Sequence, residues 1–303
     1  MWHTSAKFNA LGDIQKNLFT VEALDQKDNA GLTVWHIAAW KNSIYQIPQH
    51  LFNATSLNKK DINGDTVWHV AAESYGALEA IPQHLFSKES LDQTDQDGNS
   101  VWHLAASSGY LTPIPSELFN TESLNKANNN GDTVWHYAAQ YGTLKDIPKH
   151  LFTSEYLDRV NEKGSTVWHL AAAYRTLQDI PKKLFTVEAL SRINKEGNSV
   201  FHYAASAGSL KDIPQHLFTI DALNKKSQSG MTVWQRAEKS NSFKHIPEHF
   251  ITENLLYQKN LSGEFVFNSK TRDYINNVIT CDKQSLSEPL CSIDATKERD
   301  VIR

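Results

Sequence analysis

Histidine is the residue type in this sequence whose number and spacing could indicate chemistry. There are 13 histidines, and seven of them recur at intervals of 33 or 34 residues, each directly after a tryptophan or phenylalanine. A neutral imidazole can bind a metal ion or transfer a proton. The repeating set comprises His3, His36, His69, His103, His136, His169 and His202.

The spacing of the histidines argues against a shared metal site. Copies on successive packed helices stand about one helix diameter apart, about 10–12 Å. They cannot then converge on one ion whose ligand bonds are about 2 Å long. We therefore predict that each histidine of the repeating set ties its turn to the neighbouring backbone by hydrogen bonds. A second set, expected to be exposed or half-buried on second helices, cannot share a metal either: His50, His84, His150, His216 and His249.

Cysteine and tryptophan are the other residue types that could carry chemistry. A cysteine nucleophile needs a base and an orienting group in a shaped pocket, and the polar sequence around Cys281 and Cys291 supplies neither. The sequence contains no glycine-rich phosphate loop, G-x-S-x-G or H-E-x-x-H motif. We predict no catalytic residue, metal or cofactor. Six tryptophans could stack on bases or sugars, but their position next to paired alanines favours a place in the core: Trp35, Trp68, Trp102, Trp135, Trp168 and Trp234.

Composition narrows the class of protein. The net charge of −4 gives no bias toward nucleic acid or an anionic membrane surface. No run of about 18 apolar residues is present, so we expect no membrane span. Two cysteines suit a reducing compartment, and no cleavable secretory signal is visible. We expect a cytoplasmic protein, of the producing cell or of a host cell if a specialised system exports it.

A repeated unit positions these residues. The pattern G-x-T/S-V-W-H-x-A-A begins at five glycines and is followed by two altered copies. The steps between copies are 33 or 34 residues, a period that indicates a stacked array of supersecondary units. The one extra residue falls within Glu73-Ser74-Tyr75, where it is expected to lengthen the first helix. The glycines are Gly31, Gly64, Gly98, Gly131 and Gly164, then Gly197 and Gly230, with a decayed copy at Gly263.

The first half of each unit predicts a capped turn and a helix. In the copy around Gly131, the glycine supplies the positive φ that a tight turn needs. Thr133 is a natural N-cap for a helix from Val134 to about Tyr141. Trp135 and the pair Ala138-Ala139 are spaced i, i+3 and i+4, so they share one face of that helix. We predict that this face packs against neighbouring units.

The second half of each unit predicts two further elements. Thr143 and Asp146 resemble a capping box at the start of a second helix. The following Ile147-Pro148 pair should bend that helix, because the residue before proline is pushed toward an extended conformation. Thr153-Ser154-Glu155-Tyr156-Leu157 has a threonine cap, an early acidic residue and an apolar residue, which is typical of about one helical turn.

These residues together resemble an ankyrin repeat array. Asp95-x-x-Gly98, Thr133-Val134-Trp135-His136 and Ala138-Ala139-x-x-Gly142 stand in register with the ankyrin pattern. Val-Trp replaces Pro-Leu and Ile-Pro-x-x-Leu-Phe replaces the usual second helix, as in a divergent subtype similar to bacterial ankyrin arrays. The resemblance implies an all-α solenoid of about seven full repeats. We predict a partial N-terminal capping repeat over 1–28, the array over 29–262, a degenerate capping repeat and helix over 263–280, and a polar tail over 281–303.

The resemblance also implies a binding surface. Partners of ankyrins bind the concave face that turn tips and the ends of first helices form. Exposed Trp and Tyr are favoured interface anchors. Carried over position by position, the partner-binding candidates are Trp40, Lys41, Tyr75, Ser108, Gln140, Tyr141, Tyr174 and Lys239, with Ser107, Ala173, Ser206 and Ala207 beside them.

The turn tips change sign of charge along the array. Solvated turn residues explain such a pattern, and so does a surface that steers a partner with the opposite charge gradient. The acidic tips come first and the basic tips follow: Asp61, Asp65, Asp95, Asp97 and Asp132, then Arg159, Lys163, Arg192, Lys195, Lys225 and Lys226.

We therefore hypothesise a monomeric, non-enzymatic scaffold that binds a protein partner. An effector or inhibitor of a host or competitor protein is a narrower form of this hypothesis. The alternative is a targeting module or fragment of a larger enzyme or toxin whose catalytic part is absent here. A purely structural role would predict no partner.

Overall fold

The computed structural model describes residues 1–258 and 266–285. Within these ranges the chain is all-helical, with isolated antiparallel bridges and no β-strand. Seven repeats follow a partial one, and each has a first helix, one or two 3-10 turns and a short third element, which is a 3-10 segment in repeat seven and an α-helix in the others. The first helices are Trp2–Lys7, Val34–Trp40, Val67–Glu73, Val101–Ser107, Val134–Tyr141, Val167–Ala173, Val200–Ala207 and Val233–Lys239. We number the repeats one to seven from the helix Val34–Trp40.

A capping box starts the first helix of every full repeat. In repeat four, Thr133 has an extended backbone, with φ of −91° and ψ of 169°, and its side chain accepts from the N3 backbone N–H. The N3 residue His136 returns the bond, because its Nδ1 accepts from the Thr133 N–H at 3.1 Å. Threonine followed three residues later by histidine therefore satisfies two amides that a helix start would leave unpaired. The predicted N-cap is confirmed.

The second segment differs from its prediction. It is two short 3-10 turns rather than one bent helix, and in repeat four these are Leu144–Asp146 and Lys149–Leu151. Ile147 between them is extended, with φ of −80° and ψ of 131°, as the following proline requires. Thr143 does not cap this segment. Its hydroxyl instead donates to the Ala106 carbonyl of the previous repeat at 3.1 Å.

The same 3-10 segments recur along the array. The hydroxyls of Thr143, Thr176, Ser209 and Ser242 donate to the repeat behind them, so in repeats four to seven the segment also links neighbouring repeats. The segments are Leu11–Asp13 and Lys16–Leu18, Ile44–Gln46 and Gln49–Leu51, Leu78–Ala80 and Gln83–Leu85, Ser116–Leu118, Leu144–Asp146 and Lys149–Leu151, Leu177–Asp179 and Lys182–Leu184, Leu210–Asp212 and Gln215–Leu217, Phe243–His245 and Glu248–Phe250, and Glu253–Tyr257.

The third element is the predicted helical turn. In repeat four the Thr153 hydroxyl accepts from the Tyr156 N–H at 3.3 Å, and Leu157 is buried. The helix starts where a threonine, serine or asparagine caps it and ends after its buried leucine. These helices are Val21–Leu24, Ala54–Leu57, Lys88–Leu91, Thr121–Leu124, Ser154–Leu157, Val187–Ser191 and Ile220–Asn224.

The extra residue of repeat two does not lengthen its first helix, so that prediction is wrong. Val67–Glu73 has 7 residues, the same as Val34–Trp40. Ser74 takes an extended conformation, with φ of −101° and ψ of 119°. The insertion therefore enters the loop, where it adds no helical residue.

The core is a continuous row of tryptophans and their neighbours. Trp135 is buried, and its ring meets Phe152 edge-on with 4.9 Å between centroids. The same pair recurs in repeat one, where Trp35 lies 5.0 Å from Phe52. Edge-to-face contacts are a preferred arrangement of aromatic rings. The prediction that the tryptophans are core residues is confirmed.

The turns stack directly on one another. Gly131 has φ of 73°, and a Cβ there would lie 3.1 Å from the Glu162 backbone nitrogen of the next turn. That nitrogen donates to the Asn130 carbonyl at 2.9 Å. Glycine is therefore needed both for its backbone conformation and for the close approach of the next repeat.

The C-terminal helix Ser269–Ser285 closes the described part of the array. Ile275 and Val278 of this helix are buried, and the Asn268 N–H before it donates to Glu238 Oε1 at 3.0 Å. The decayed copy at Gly263, Cys291 and most of the predicted polar tail lie outside the described residues. The helix itself runs five residues past the predicted boundary at 280.

Candidate protein-binding surface

Six of the seven repeating histidines are structural links between repeats, as the sequence predicts, whereas the buried Nε2 of His69 has no hydrogen-bond partner. Because His136 Nδ1 accepts from the Thr133 N–H at 3.1 Å, the proton of the neutral ring must lie on Nε2. Nε2 then donates to the Ser165 carbonyl of the next repeat at 3.2 Å. Equivalent Nε2 bonds to the next repeat extend from His3, His36, His103, His169 and His202.

Burial keeps the repeating imidazoles from His36 to His202 neutral. Because an apolar surrounding disfavours the charged ring, it lowers the pKa of His103, His169 and His202 to about 4. Both ring nitrogens are occupied by hydrogen bonds, so these histidines offer no lone pair to a metal or substrate. The second set of histidines is exposed and lies on the 3-10 segments: His50, His84, His150, His216 and His249.

The described part of the chain contains no group of three or more His, Cys, Asp or Glu side chains that could hold a metal ion. Its helices include none that is both long and apolar enough to cross a membrane. The features that remain available for recognition are therefore on the surface of the array.

One stripe of the first helices forms, together with the turns, a surface that we call the turn-side face. The first residue of the stripe in each helix is buried or half-buried, as at Ile37 and Leu104, and the later ones are half-buried or exposed. In repeat four the stripe comprises Tyr137, Gln140 and Tyr141, spaced i, i+3 and i+4. Tyr137 also bonds to the turns of its own and the previous repeat, through Asn128 Nδ2 and Asn99 Oδ1, each at 3.2 Å. The positions equivalent to these three are Ile37, Trp40 and Lys41, Leu104, Ser107 and Ser108, Leu170, Ala173 and Tyr174, Tyr203, Ser206 and Ala207, and Arg236, Lys239 and Ser240.

Three of the predicted aromatic residues lie on this face and are open to solvent. The exposed fractions of Trp40, Tyr141 and Tyr174 are 57%, 50% and 51%. Lys41 lies over the Trp40 ring, with 3.6 Å between its ammonium and the ring centroid. Large aromatic side chains this exposed are favoured anchors for a protein partner, because they bury much area at little cost in side-chain entropy.

Tyr75 lies in the loop after the first helix of repeat two and not on the helical stripe itself. It is 75% exposed, and its ring packs edge-on against Tyr110 with 4.5 Å between centroids. Tyr75 lies beyond the end of the helix because the inserted residue Ser74 separates it from Glu73, the last helical residue.

The polar candidates differ in how available they are. Ser108 Oγ donates to the Leu104 carbonyl at 2.8 Å, so its hydroxyl is already used within the helix. Gln140 is half-buried and Lys239 is exposed. Ser107, Ala173, Ser206 and Ala207 are small and leave room between the tyrosines.

Sequence reasoning missed four residues of the turn-side face. Tyr137 and Tyr203 occupy the x position of H-x-A-A, which the pattern treats as neutral, and Tyr203 receives a bond from Asn194 Nδ2 at 3.0 Å. Phe8 is 73% exposed and stands 33 residues before Lys41. Arg236 takes the x position in repeat seven. Position-by-position alignment of the x residue could have found Tyr137, Tyr203 and Arg236.

The acidic end of this face lies on repeats two and three. Burial raises the pKa of Asp65 to about 6, with a further contribution from the nearby carboxylate of Asp61. Burial and Asp95 likewise raise the pKa of Glu73. Among the described residues none of these carboxylates makes an ion pair. The turn carboxylates also shape the backbone, since Asp61 Oδ1 accepts from the Asp65 N–H at 2.9 Å.

The basic end is partly neutralised by local contacts. Arg192 lies 3.2 Å from Asp158, and Lys225 Nζ donates to the Ser191 carbonyl at 3.4 Å. The charge gradient of the turn tips is therefore weaker than their residue types suggest. The first helix of repeat seven adds the cations Arg236 and Lys239 to the basic end.

Comparison with known proteins gives one family match. Residues 68–157 match the family model described as ankyrin repeats, in three copies. No curated protein sequence matches the chain.

Among solved structures, the chain is similar to one chain of the complex of the predatory endopeptidase Bd0816 from Bdellovibrio bacteriovorus with the immunity protein Bd3460. The identity is 22% and the TM-score is 0.44, over 62% of this chain and 97% of that chain. The family match spans three of the seven repeats, and the same capped helix, 3-10 segment and short helix continue on both sides of it. The described chain is therefore an all-helical solenoid in which residues 68–157 match ankyrin repeats.

Proposed function

We propose that this protein is a non-enzymatic scaffold that binds a protein partner on the turn-side face. The observation that carries the proposal is the exposure of Trp40, Tyr141 and Tyr174 on one face of a rigid stack. An effector or inhibitor is the form of this function that we favour, because the aromatic anchors form an exposed surface suited to holding another protein.

The arrangement of the face supports the proposal. Tyr137 and Tyr203 are fixed by hydrogen bonds to asparagines of the turns, so the aromatic surface is ordered before a partner arrives. Preorganised aromatic anchors lose little entropy on binding. Acidic residues lie toward one end of the face and basic residues toward the other, which matches the polar rim of a protein interface.

The test is a triple variant, Trp40→Ala, Tyr141→Ala and Tyr174→Ala. Partners are captured with the wild-type protein, identified by mass spectrometry, and their affinities measured for both forms. We expect binding to weaken by at least about 100-fold, since anchor residues typically contribute about 2 kcal/mol or more each. Circular dichroism confirms that the variant is folded.

A matched control removes equally exposed apolar side chains from the 3-10 segments. Leu18→Ala, Tyr45→Ala and Tyr257→Ala alter residues that are 50%, 63% and 65% exposed. This control is expected to bind like the wild type. If the partner stays bound to the first triple variant and is lost from the control, the partner-binding surface is on the other side of the array.

A further inference from the structure

Arg236 is an unusual residue for its position in the repeat. The equivalent residues of the other full repeats are apolar or tyrosine, as at Leu170 and Tyr203. Arg236 is half-buried, and its terminal nitrogens donate to Asn198 Oδ1 at 2.6 Å and to Ser206 Oγ at 3.3 Å. Both acceptors are neutral side chains of the previous repeat.

The Arg236 guanidinium has no counter-charge in the described part of the chain. None of the ion pairs there includes it, and its Nε is buried without an acceptor. Glu196 is the nearby acid, but its Oε2 accepts from Asn198 Nδ2 at 3.0 Å. Burial lowers the pKa of Arg236, against the opposing influence of Tyr203 and Glu196. A partly buried charge without a partner costs free energy in the folded protein.

The neighbours of Arg236 add positive charge. Lys239 lies one turn further along the helix and is exposed, with its ammonium 3.9 Å from Met231 Sδ. The acidic residue of this helix, Glu238, is directed to the C-terminal cap, where it accepts from the Asn268 N–H. The helix therefore presents two cations to the turn-side face and commits its one carboxylate elsewhere.

We propose that Arg236, with Lys239 beside it, binds a carboxylate group on an acidic segment of the protein partner. The inference rests on the proposed function and adds the chemistry of the partner. Each terminal nitrogen of Arg236 carries two hydrogens and uses one, so each retains an N–H for a carboxylate oxygen. Two such bonds to one carboxylate form the bidentate pair for which a guanidinium is suited.

A carboxylate fits this surface better than a polyphosphate. A nucleic acid lying along the face would also meet Asp65, Glu73 and Asp95 at repeats two and three, and the net charge of the chain is −4. Like charges at that end would repel a polyanion. A protein segment can place acidic residues at repeat seven and basic residues at repeats two and three.

The test measures binding of fluorescein-labelled hexaglutamate by fluorescence anisotropy at low ionic strength, where exposed charges are little screened. We expect the wild-type protein to bind this probe with a Kd below about 1 mM. Arg236→Met, which keeps an apolar stem and removes the charge, is expected to weaken binding about tenfold. Arg236→Lys keeps the charge, loses the fork and should also bind more weakly than the wild type.

Lys183→Met is the matched control, because it removes one charge from an exposed lysine of the 3-10 segment Lys182–Leu184, outside the turn-side face. It should change the affinity less than about twofold. Equal losses in the two methionine variants would mean general charge attraction and would overturn the proposal. So would failure of hexaglutamate to bind, or tighter binding of a six-nucleotide thymidine oligonucleotide.

Thermal unfolding separates recognition from a structural role. If Arg236 serves recognition, the Tm of Arg236→Met should equal or exceed that of the wild type, because an unpaired charge is removed. A Tm lower by several degrees would identify Arg236 as a brace between repeats six and seven and would refute the inference. The proposed function fails separately. If Arg236→Met loses hexaglutamate binding while the triple variant of Trp40, Tyr141 and Tyr174 still captures the partner fully, only the proposed aromatic surface is refuted.

Discussion

The first helices of repeat four and repeat seven have the same cap and core but meet different neighbours. Both begin with a capping threonine and continue Val-Trp, and both keep the alanine at Ala138 or Ala237 buried. Gln235 takes the place of His136. Its Oε1 accepts from the Thr232 N–H at 2.8 Å, so the capping box survives the substitution.

The differences fall where a following repeat would touch. The Ala139 carbonyl of repeat four accepts from the Thr176 hydroxyl of the next repeat at 2.8 Å, and the side chain must be small for that approach. Glu238 at the equivalent position reaches the backbone before the C-terminal helix instead. The residues of the motif therefore have two separate tasks. Some build their own repeat, while others join it to the next.

The largest expected effect concerns the histidines that join repeats. Their folded pKa of about 4 lies below the ordinary value of 6.5, so as pH falls the unfolded chain takes up protons first. Their contribution to stability is fully present above pH 6.5 and is lost toward pH 4. Between these pH values each histidine should lower the free energy of unfolding by about 1.4 kcal/mol for every unit by which the pH falls. Urea unfolding at a series of pH values between 7 and 4.5 measures the loss.

The control for the acid effect is a variant with His103, His169 and His202 all changed to glutamine, the residue used naturally at position 235. Its stability should depend much less on pH in this range. Asp65 acts in the opposite direction, since its pKa is raised to about 6 and its protonation on acidification stabilises the fold. An equally steep loss in the variant would show that the histidines are not the cause.

Next in size is the loss of a core tryptophan. Trp135→Ala should reduce the free energy of unfolding by about 3–5 kcal/mol, as large aromatic truncations in cores do. Trp2→Ala should cost clearly less, because Trp2 is only partly buried. Equal costs in denaturant unfolding would argue against a stack in which each repeat contacts only its neighbours.

Much of the fold could be predicted from the sequence because it depends on local chemistry repeated many times. Thr133, Gly131 and Trp135 each have one role that their residue type and spacing indicate. The second segment could not be predicted in the same way. The pattern around Thr143 resembles a helix cap, but the Ile147-Pro148 pair and the carbonyl of Ala106 in the previous repeat decide its conformation.

The candidate surface was predictable only in part. Trp40, Tyr141 and Tyr174 stand out in sequence because the resemblance gives the position of helix ends. Tyr137 and Arg236 do not, because the x position of the motif is half-buried and its contacts run to turns of another repeat. Such contacts depend on how repeats stack, which the spacing of residues within one repeat does not contain.

A smaller effect is expected when His136 is changed to glutamine. By comparison with Gln235, the cap would be kept, while the bond from Nε2 to the Ser165 carbonyl would be lost. One net hydrogen bond contributes about 1 kcal/mol. The reverse change, Gln235→His, should alter stability less. Urea midpoints for both variants make the comparison, and similar losses would contradict the division between capping and joining.

The smallest effect on stability is expected for the residues assigned to recognition. Trp40→Ala, Tyr141→Ala and Tyr174→Ala remove side chains that are at least half exposed, and surface substitutions usually change the free energy of unfolding by less than about 0.5 kcal/mol. Their effect should appear in partner binding instead. Denaturant unfolding of the three single variants is the measurement. A loss above about 2 kcal/mol at any of them would place that side chain among the residues that build the repeat, and Trp40 is the most informative because Lys41 covers its ring.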